Sequence, residues 1–165
     1  MNDKNNFPDN LVEEIDAIKS KFPSDKSKSA IIESLLIIQH HNNGYLDEDL
    51  ISSLADFLNV TKIDVYEVAT FYSMFNLKPV GKNIVSVCTN VSCMLRKSDD
   101  MVSYIEKKLK IKVGESTKDN KFYLKDEMEC LAACNGAPMM QINHINYENL
   151  TYDKIDKILD EINND

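Results

Sequence analysis

All four cysteines of this chain lie in two stretches, VCTNVSCMLR at residues 87–96 and ECLAACNGAP at residues 129–138. They form two separated pairs, Cys88-x4-Cys93 and Cys130-x3-Cys134. Each pair stands where a predicted regular element gives way to a loop, so four sulfurs from two loops can converge on one site. Thiolates in such an arrangement bind zinc or an iron–sulfur cluster.

Four interpretations of the cysteines compete. Structural zinc sites usually contain C-x2-C turns, and neither pair has that spacing. A thioredoxin-type redox pair also requires C-x-x-C, and structural disulfides are disfavoured without an export signal. Four inert buried cysteines would more often be scattered than paired. A [2Fe–2S] cluster has two irons, so two pairs of ligands match its shape best, and the cluster is the favoured interpretation.

The sequence around the cysteines alternates between strands and helices. A strand at residues 83–87 leads into Cys88, and a helix covers residues 99–110. Further strands are predicted at residues 121–124, at 139–143 after Pro138 and at 145–147. Thr151 can cap a final helix. The predicted order is β-α-β-β-α, to which residues 145–147 add a fourth strand before the last helix.

The first half of the chain has helical periodicity only. Four helices are predicted, the first ending at Pro23 and the second running from about Ser29 to His41. Asp47 can cap the third, and Thr61-x-x-Asp64 resembles a capping box at the start of the fourth, which continues through Phe75. The sequence therefore predicts an α+β protein, with an N-terminal helical bundle over residues 1–78 and an α/β domain over residues 79–165.

Composition and charge exclude several classes of function. The 27 acidic and 19 basic residues give a net charge of −8, which disfavours binding to a phosphate backbone. No apolar run approaches the ~20 residues that cross a bilayer. Met1 to Asn10 fits neither a secretory signal nor a transit peptide, so the chain is expected to stay where it is made. The four glycines are too scattered for a nucleotide-binding loop.

The cysteine stretches carry a family resemblance. The run from Val87 to Arg96, then GEST at residues 114–117, ECLAAC at 129–134, Ala137-Pro138 and YENLT at 147–151 closely resembles the NuoE-type subunit of NADH:quinone oxidoreductase, respiratory complex I. The upstream run YEVATFYSMF at residues 66–75 is similar to the last N-terminal helix of the same family. The resemblance covers nearly the whole chain, from about Phe22 to Ile162.

The resemblance implies a thioredoxin-like domain that holds one [2Fe–2S] cluster through Cys88, Cys93, Cys130 and Cys134. It implies an electron-transfer role in the NADH dehydrogenase module of the respiratory chain, beside a partner subunit that binds FMN and NADH and the rest of the peripheral arm. It places the chain in the cytoplasm, at the inner face of the energy-transducing membrane. The equivalent subunit of an NAD-linked hydrogenase or formate dehydrogenase shares the cysteine pattern, and a zinc-stabilised scaffold is the alternative from another class.

Several residues outside the cysteine pairs carry expectations of their own. Ala132 replaces a glycine frequent in the family, which puts a positive φ there in doubt. Ala137-Pro138 corresponds to the cis-proline position of thioredoxin-like folds. The histidines His40, His41 and His144 are interpreted as solvated residues rather than metal ligands. The fourth helix carries more apolar surface than one face requires. Part of the run Tyr66, Val68, Phe71, Tyr72, Met74 and Phe75 is expected in the bundle core, and the surplus predicts a partner surface.

Overall fold

The computed structural model describes residues 7–126 and 130–164. Glu129 of the second cysteine stretch and most of the segment from Met1 to Asn10 lie outside them. The chain divides into two compact units, Met1–Pro79 and Val80–Asp165. Helices make up the first and a mixed sheet with helices the second, so the predicted α+β class is confirmed. None of the helices in the described ranges has the length and apolarity to span a bilayer.

Four α-helices build the first unit: α1 (Asp9–Lys19), α2 (Ile31–His41), α3 (Glu48–Leu58) and α4 (Lys62–Phe71). A 3-10 helix over Ser24–Ala30 precedes α2, where the sequence indicates the start of the α-helix itself. The apolar residues spaced by three and four along each helix meet in one core, whose largest fully buried members are Ile15, Ile31, Leu35, Ile38, Leu46, Ile51, Leu54 and Leu58.

The predicted helix ends are present. The side chain of Asp47 accepts a hydrogen bond from the Leu50 N–H at 2.9 Å and caps α3. Thr61 and Asp64 form the complete capping box of α4, with Asp64 in the place of the usual glutamate. After α2, Asn43 and Gly44 take positive φ angles of 54° and 86°, which stops the helix in the left-handed region.

Helix α4 is shorter than the sequence predicts. It ends at Phe71, and Tyr72 is already extended. A buried side chain holds the chain after the helix: the Gln39 amide donates to the Met74 carbonyl at 3.0 Å and accepts from the Asn76 N–H at 2.7 Å. Gln39 thus provides hydrogen-bond partners for the Met74 carbonyl and the Asn76 N–H, which therefore do not depend on helical hydrogen bonds. Phe75, which lies between these two residues, is buried in the core.

The second unit is built on a four-stranded sheet in the order β2-β1-β3-β4. The strands are β1 (Asn83–Val87), β2 (Phe122–Leu124), β3 (Met140–Ile142) and β4 (Ile145–Tyr147). β1 runs parallel to β2 and antiparallel to β3, and β3 and β4 form a hairpin. Three helices accompany them: α5 (Val91–Met94), α6 (Ser98–Leu109) and α7 (Tyr152–Asn164). The observed order is β-α-α-β-β-β-α: all four predicted strands are present, one more than the order β-α-β-β-α counts, and α5 is an addition.

Helices α6 and α7 share one core with the sheet, in which Val85, Ile105, Leu124, Met140 and Ile155 are almost completely buried. The two helices are also tied to each other at their surface. The Tyr104 hydroxyl donates to Asp156 at 2.7 Å, and the Lys108 ammonium lies 2.8 Å from both Asp156 and Asp160. Thr151 accepts a hydrogen bond from the Lys154 N–H, as expected of its predicted capping role.

The two edges of the sheet differ. The outer side of β2 is covered by residues 114–117, whose backbone exchanges hydrogen bonds with Phe122 and Leu124. The outer strand β4 is exposed at Ile145 and Asn146. Between β3 and β4 the chain turns through Asn143 and His144, both with positive φ. This is the two-residue hairpin turn in which Asn is favoured and Gly is usual at the second place.

Candidate metal centre

The first cysteine pair is held at the end of the central strand. Cys88 follows β1 directly and stays in the ladder, because its N–H donates to the Met139 carbonyl at 3.1 Å. Its side chain is 3% exposed. The chain then turns into α5, whose first N–H, that of Val91, is bonded by the Asn90 side chain at 2.9 Å. This short helix carries Cys93 inward, with 1% exposure.

The second pair lies on a loop and is exposed. Cys130 and Cys134 both present their side chains to solvent. Between them Ala132 has a φ of 56°, so the positive φ that the alanine put in doubt is present. A single 3-10 turn over Cys134–Gly136 leads the chain back towards the sheet.

A close backbone approach fixes the end of this loop. The Gly136 carbonyl accepts from the Asn149 N–H at 2.6 Å, and the Pro138 carbonyl accepts from the Leu150 N–H at 2.9 Å. At Gly136 a β-carbon would lie 2.4 Å from the Cβ of Glu148. Only glycine leaves room for this contact, so Gly136 is required by packing and not by its backbone angle.

The loop returns to β3 through a cis peptide bond between Ala137 and Pro138. Met139 follows and is 1% exposed. It belongs to a small core of its own with Cys88, Cys93 and Ala137, against which Leu131 and Ala133 pack in part. Met139 therefore both completes the packing and covers the buried cysteine pair.

The sulfur of Cys88 receives hydrogen bonds from both loops. Burial acts to raise the pKa of this thiol. The backbone N–H groups of Leu131 and Asn90 donate to the sulfur, and so do the thiols of Cys93 and Cys130. These bonds outweigh burial, and the pKa of Cys88 is lowered from its ordinary value. The lowered pKa favours the thiolate form of Cys88.

Cys93 is shifted in the opposite direction. Burial, followed by its hydrogen bond to Cys88, raises its pKa to about 11. The Met139 N–H donates to the Cys93 sulfur and opposes this rise, whereas charge on Cys88 and Cys134 adds to it. The second loop therefore reaches the first pair twice: Cys130 bonds to Cys88, and Cys134 lies within electrostatic reach of Cys93.

This arrangement fits a cluster held by two pairs of thiolates. Backbone hydrogen bonding from Asn90 and Leu131 to Cys88 and from Met139 to Cys93 favours the thiolate forms, as protein dipoles do where they stabilise the negative charge of an iron–sulfur centre. Across residues 7–126 and 130–164, no three His, Cys, Asp or Glu side chains are grouped so as to hold a single metal ion.

The fold and the cysteine arrangement define a small thioredoxin-like iron–sulfur protein, and comparison with known families agrees. The model of the thioredoxin-like [2Fe-2S] ferredoxin family matches residues 15–163. The chain belongs to this family, and its predicted thioredoxin-like fold and iron–sulfur cofactor are confirmed at that level.

Named relatives cover the whole chain. The E subunit of the NADH-quinone oxidoreductase of Rickettsia conorii (strain ATCC VR-613 / Malish 7) is 50% identical over 99% of this chain and 94% of its own length. The mitochondrial NADH dehydrogenase [ubiquinone] flavoprotein 2 of Dictyostelium discoideum is 42% identical over 94% of this chain and 62% of its own length. These identities support the resemblance drawn from the motifs.

A solved structure shares the fold. A chain of the NAD+-reducing [NiFe]-hydrogenase in the air-oxidized state superposes with a TM-score of 0.65 and 18% sequence identity, over 78% of this chain. This chain spans 22% of that one. The likeness establishes the common fold and nothing finer.

Two residues of this region have a role that sequence reasoning missed. In the sequence Gly136 is one of four scattered glycines, although it supports the loop after Cys134. Arg96 stands out only as the single arginine, although its guanidinium donates to the Ala137 carbonyl at 3.2 Å. The histidines are exposed, as expected, and His41 pairs with Glu14 at 3.2 Å.

Proposed function

We propose that this chain is the electron-transfer subunit of the NADH dehydrogenase module of respiratory complex I, and that Cys88, Cys93, Cys130 and Cys134 hold one [2Fe–2S] cluster. The observation that carries the proposal is the meeting of two cysteine pairs from two loops, joined by the thiol contacts of Cys88. Near full-length relatives bear the name of an NADH-quinone oxidoreductase component, which supports the assignment to this complex rather than to a hydrogenase or formate dehydrogenase.

The bound cluster would supply one-electron transfer, and the chain's own residues decide how it is held. The buried pair, Cys88 and Cys93, anchors it to the central strand and α5. The exposed pair, Cys130 and Cys134, completes the ligand set on the solvent side. N–H groups of the ligand loops offset the negative charge of four thiolates.

We further propose a division of labour between the two parts of the chain. Residues 79–165 form the cluster domain, and residues 1–78 form the bundle that contacts other subunits of the peripheral arm. The partner is the subunit that binds FMN and NADH, so the chain oxidises no NADH by itself. The assembled complex lies at the cytoplasmic face of the energy-transducing membrane.

Exposed apolar residues support a partner surface on the bundle. Phe71 is 79% exposed and Ile63 67%, and Tyr66 lies on the same helix with an exposed ring. Such surface is costly on a free chain and typical of interfaces. Phe75 is buried, and Val68 and Met74 pack partly against the bundle core, so these three are the members of the run that belong to the bundle.

The cluster is tested by chemical analysis and by substitution. Anaerobically purified protein should contain two irons and two acid-labile sulfides per chain and should be red-brown. Replacing any one of the four cysteines by Ala should abolish stable cluster binding. Ser92→Ala, on the same short helix as Cys93, is the matched control and should keep full iron content. A colourless protein with one zinc and no labile sulfide would favour the scaffold alternative.

The partner is tested by co-purification. A stable one-to-one assembly with the FMN- and NADH-binding subunit is expected, in which NADH gives the EPR signal of the reduced protein only when that subunit is present. Tyr66→Ser and Phe71→Ser should weaken assembly and leave the visible spectrum unchanged, whereas Ile145→Ser, an exposed apolar residue of the sheet, serves as the control. Rapid NADH-driven reduction of the isolated chain would contradict the proposal.

A further inference from the structure

Arg96 is the only arginine among the 19 lysine and arginine residues of this chain. The remaining basic positions all use lysine, so a lysine is the default cation of this sequence. Arginine differs from lysine in its planar guanidinium, which holds several N–H donors in a fixed fork and is more weakly hydrated. Arg96 is therefore the one position of this chain at which a guanidinium is available.

Two hydrogen bonds place Arg96 between the two cysteine stretches. Its backbone N–H donates to the Cys93 carbonyl at 2.9 Å, at the end of α5. Its guanidinium donates to the carbonyl of Ala137, a residue 41 positions further along the chain that is 1% exposed. Arg96 thus joins the helix of the first cysteine pair to the segment that follows the second pair.

The joined segment contacts three of the four cysteines. The Ala137 N–H donates to the Cys134 carbonyl at 3.3 Å, and the Met139 carbonyl accepts from the Cys88 N–H at 3.1 Å. The Met139 N–H donates to the sulfur of Cys93. A displacement of this segment would therefore change the position of both pairs together.

We propose that Arg96 is a positioning residue of the metal centre: its guanidinium fixes the segment 137–139 against α5 and so sets the separation of the two cysteine pairs, and its charge favours the more negative, reduced state. The inference rests on the proposed function, since it takes the four cysteines as the cluster ligands. A hydrogen bond from a cation to a carbonyl is stronger than a neutral one, which suits a bond that bridges two loops.

The two contributions of Arg96 are separated by two variants. Arg96→Lys keeps the charge and loses the planar guanidinium, whereas Arg96→Gln loses both. Lys97→Gln is the matched control, because it removes one positive charge at the next position without removing the bond to the Ala137 carbonyl. The variants are purified anaerobically as the full-length protein with its cluster, and far-UV circular dichroism checks that each is folded.

The first measurement is the rate at which a chelator bleaches the visible absorbance. Residues that support metal ligands typically change metal affinity by about 10–100-fold, so Arg96→Lys and Arg96→Gln should both release iron at least about tenfold faster than the wild type, and Lys97→Gln at the wild-type rate. The second measurement is an EPR-monitored redox titration. At a fixed ambient potential the ratio of reduced to oxidised protein should fall by about threefold to tenfold in Arg96→Gln, tenfold being 59 mV for one electron, and should change little in Arg96→Lys.

If both Arg96 variants released iron at the wild-type rate, the positioning role would be overturned. If Lys97→Gln released iron as fast as the Arg96 variants, the effect would be one of general charge, and the positioning role would be overturned as well. An unchanged potential in Arg96→Gln would overturn the electrostatic part. If Arg96→Gln fails to fold, Arg96→Lys carries the release test. A wild-type protein without two irons and two sulfides would contradict the proposed function instead, before any variant is compared.

Discussion

Gly136→Ala should lower the free energy of unfolding of the second unit. The size of the loss can be worked out from the contacts that the added Cβ would make with Glu148. The added Cβ would lie 2.2 Å from Oε2, 2.5 Å from Cδ and 2.4 Å from Cβ of Glu148. Non-bonded carbon atoms prefer ~3.5–4.0 Å. The carboxylate end can rotate away, but the Cβ of Glu148 cannot move without its backbone.

The backbone on both sides is held. The Asn149 N–H bonds to the Gly136 carbonyl and the Leu150 N–H to that of Pro138. Separating the two segments by more than about 1 Å would break these bonds, each worth about 1 kcal/mol, in addition to the ~1–3 kcal/mol typical of overpacking. We therefore expect the free energy of unfolding to fall by about 3–5 kcal/mol, which is a urea midpoint lower by about 1.5–2.5 M at a slope of about 2 kcal/mol/M.

The assay is urea unfolding followed by far-UV circular dichroism, with truncations of Glu148 as the diagnostic. Glu148→Ala removes the carboxylate clash and leaves the Cβ, so it should restore only part of the loss in a Gly136→Ala background. Glu148→Gly removes all three contacts and should restore most of the lost free energy of unfolding. Each double variant is compared with the single variant that carries the same Glu148 substitution. Equal losses in all three backgrounds would refute the reasoning, since the cost would then not arise at Glu148.

Three further outcomes are expected. Ala132→Gly should raise the urea midpoint slightly. It removes the ~1–2 kcal/mol cost of an alanine in the left-handed region, whereas the greater conformational freedom of glycine in the unfolded chain costs only ~0.4–1 kcal/mol. An unchanged or lower midpoint would contradict this. Gln39→Leu should cost the first unit about 2–4 kcal/mol in the same assay, because the buried Asn76 N–H and the partly buried Met74 carbonyl lose their partner. A loss under about 1 kcal/mol would show that these groups find another partner. The pKa of Asp156 is lowered by hydrogen bonds from Lys108 and Tyr104, so its stabilisation is present above its ordinary pKa and is lost as the pH falls below about 4. Asp156→Asn should therefore flatten the acid limb of stability measured between about pH 5 and 2, and an unchanged limb would show that other carboxylates cause it.

The sequence was sufficient where local chemistry and packing agree. The capping signals at Asp47 and at Thr61 with Asp64 mark true helix starts, and the strand predicted at residues 83–87 is β1. These features depend on neighbours a few positions apart, which periodicity and capping rules describe well.

Features that depend on distant partners were missed or misplaced. The end of α4 at Phe71 depends on Gln39, more than thirty positions earlier in the chain. The short helix α5 has only four residues, too few for a periodic signal, although Asn90 before it is a favoured cap. The positive φ of Ala132 is imposed by the loop against the preference of the residue itself.

The candidate site divides in the same way. The pairing of the cysteines is visible in their spacing, and the two loops were expected to converge. The burial of one pair and exposure of the other could not be predicted, because it follows from β1 lying at the centre of the sheet while residues 130–134 lie outside it. The role of Arg96 had one available signal, its being the only arginine, and composition alone does not say what an arginine contacts.

The unequal edges of the sheet restrict how strands could be added to it. Within the described part of the second unit, β2 is already bonded on its outer side by residues 114–117, so the backbone donors and acceptors available for further pairing are those of β4. β4 offers three residues, which is too short a template for extended strand addition between copies. No strand can therefore be added beside β2, and β4 can form only a few backbone hydrogen bonds with an added strand. This geometry protects a chain with several exposed apolar side chains from polymerising through backbone pairing.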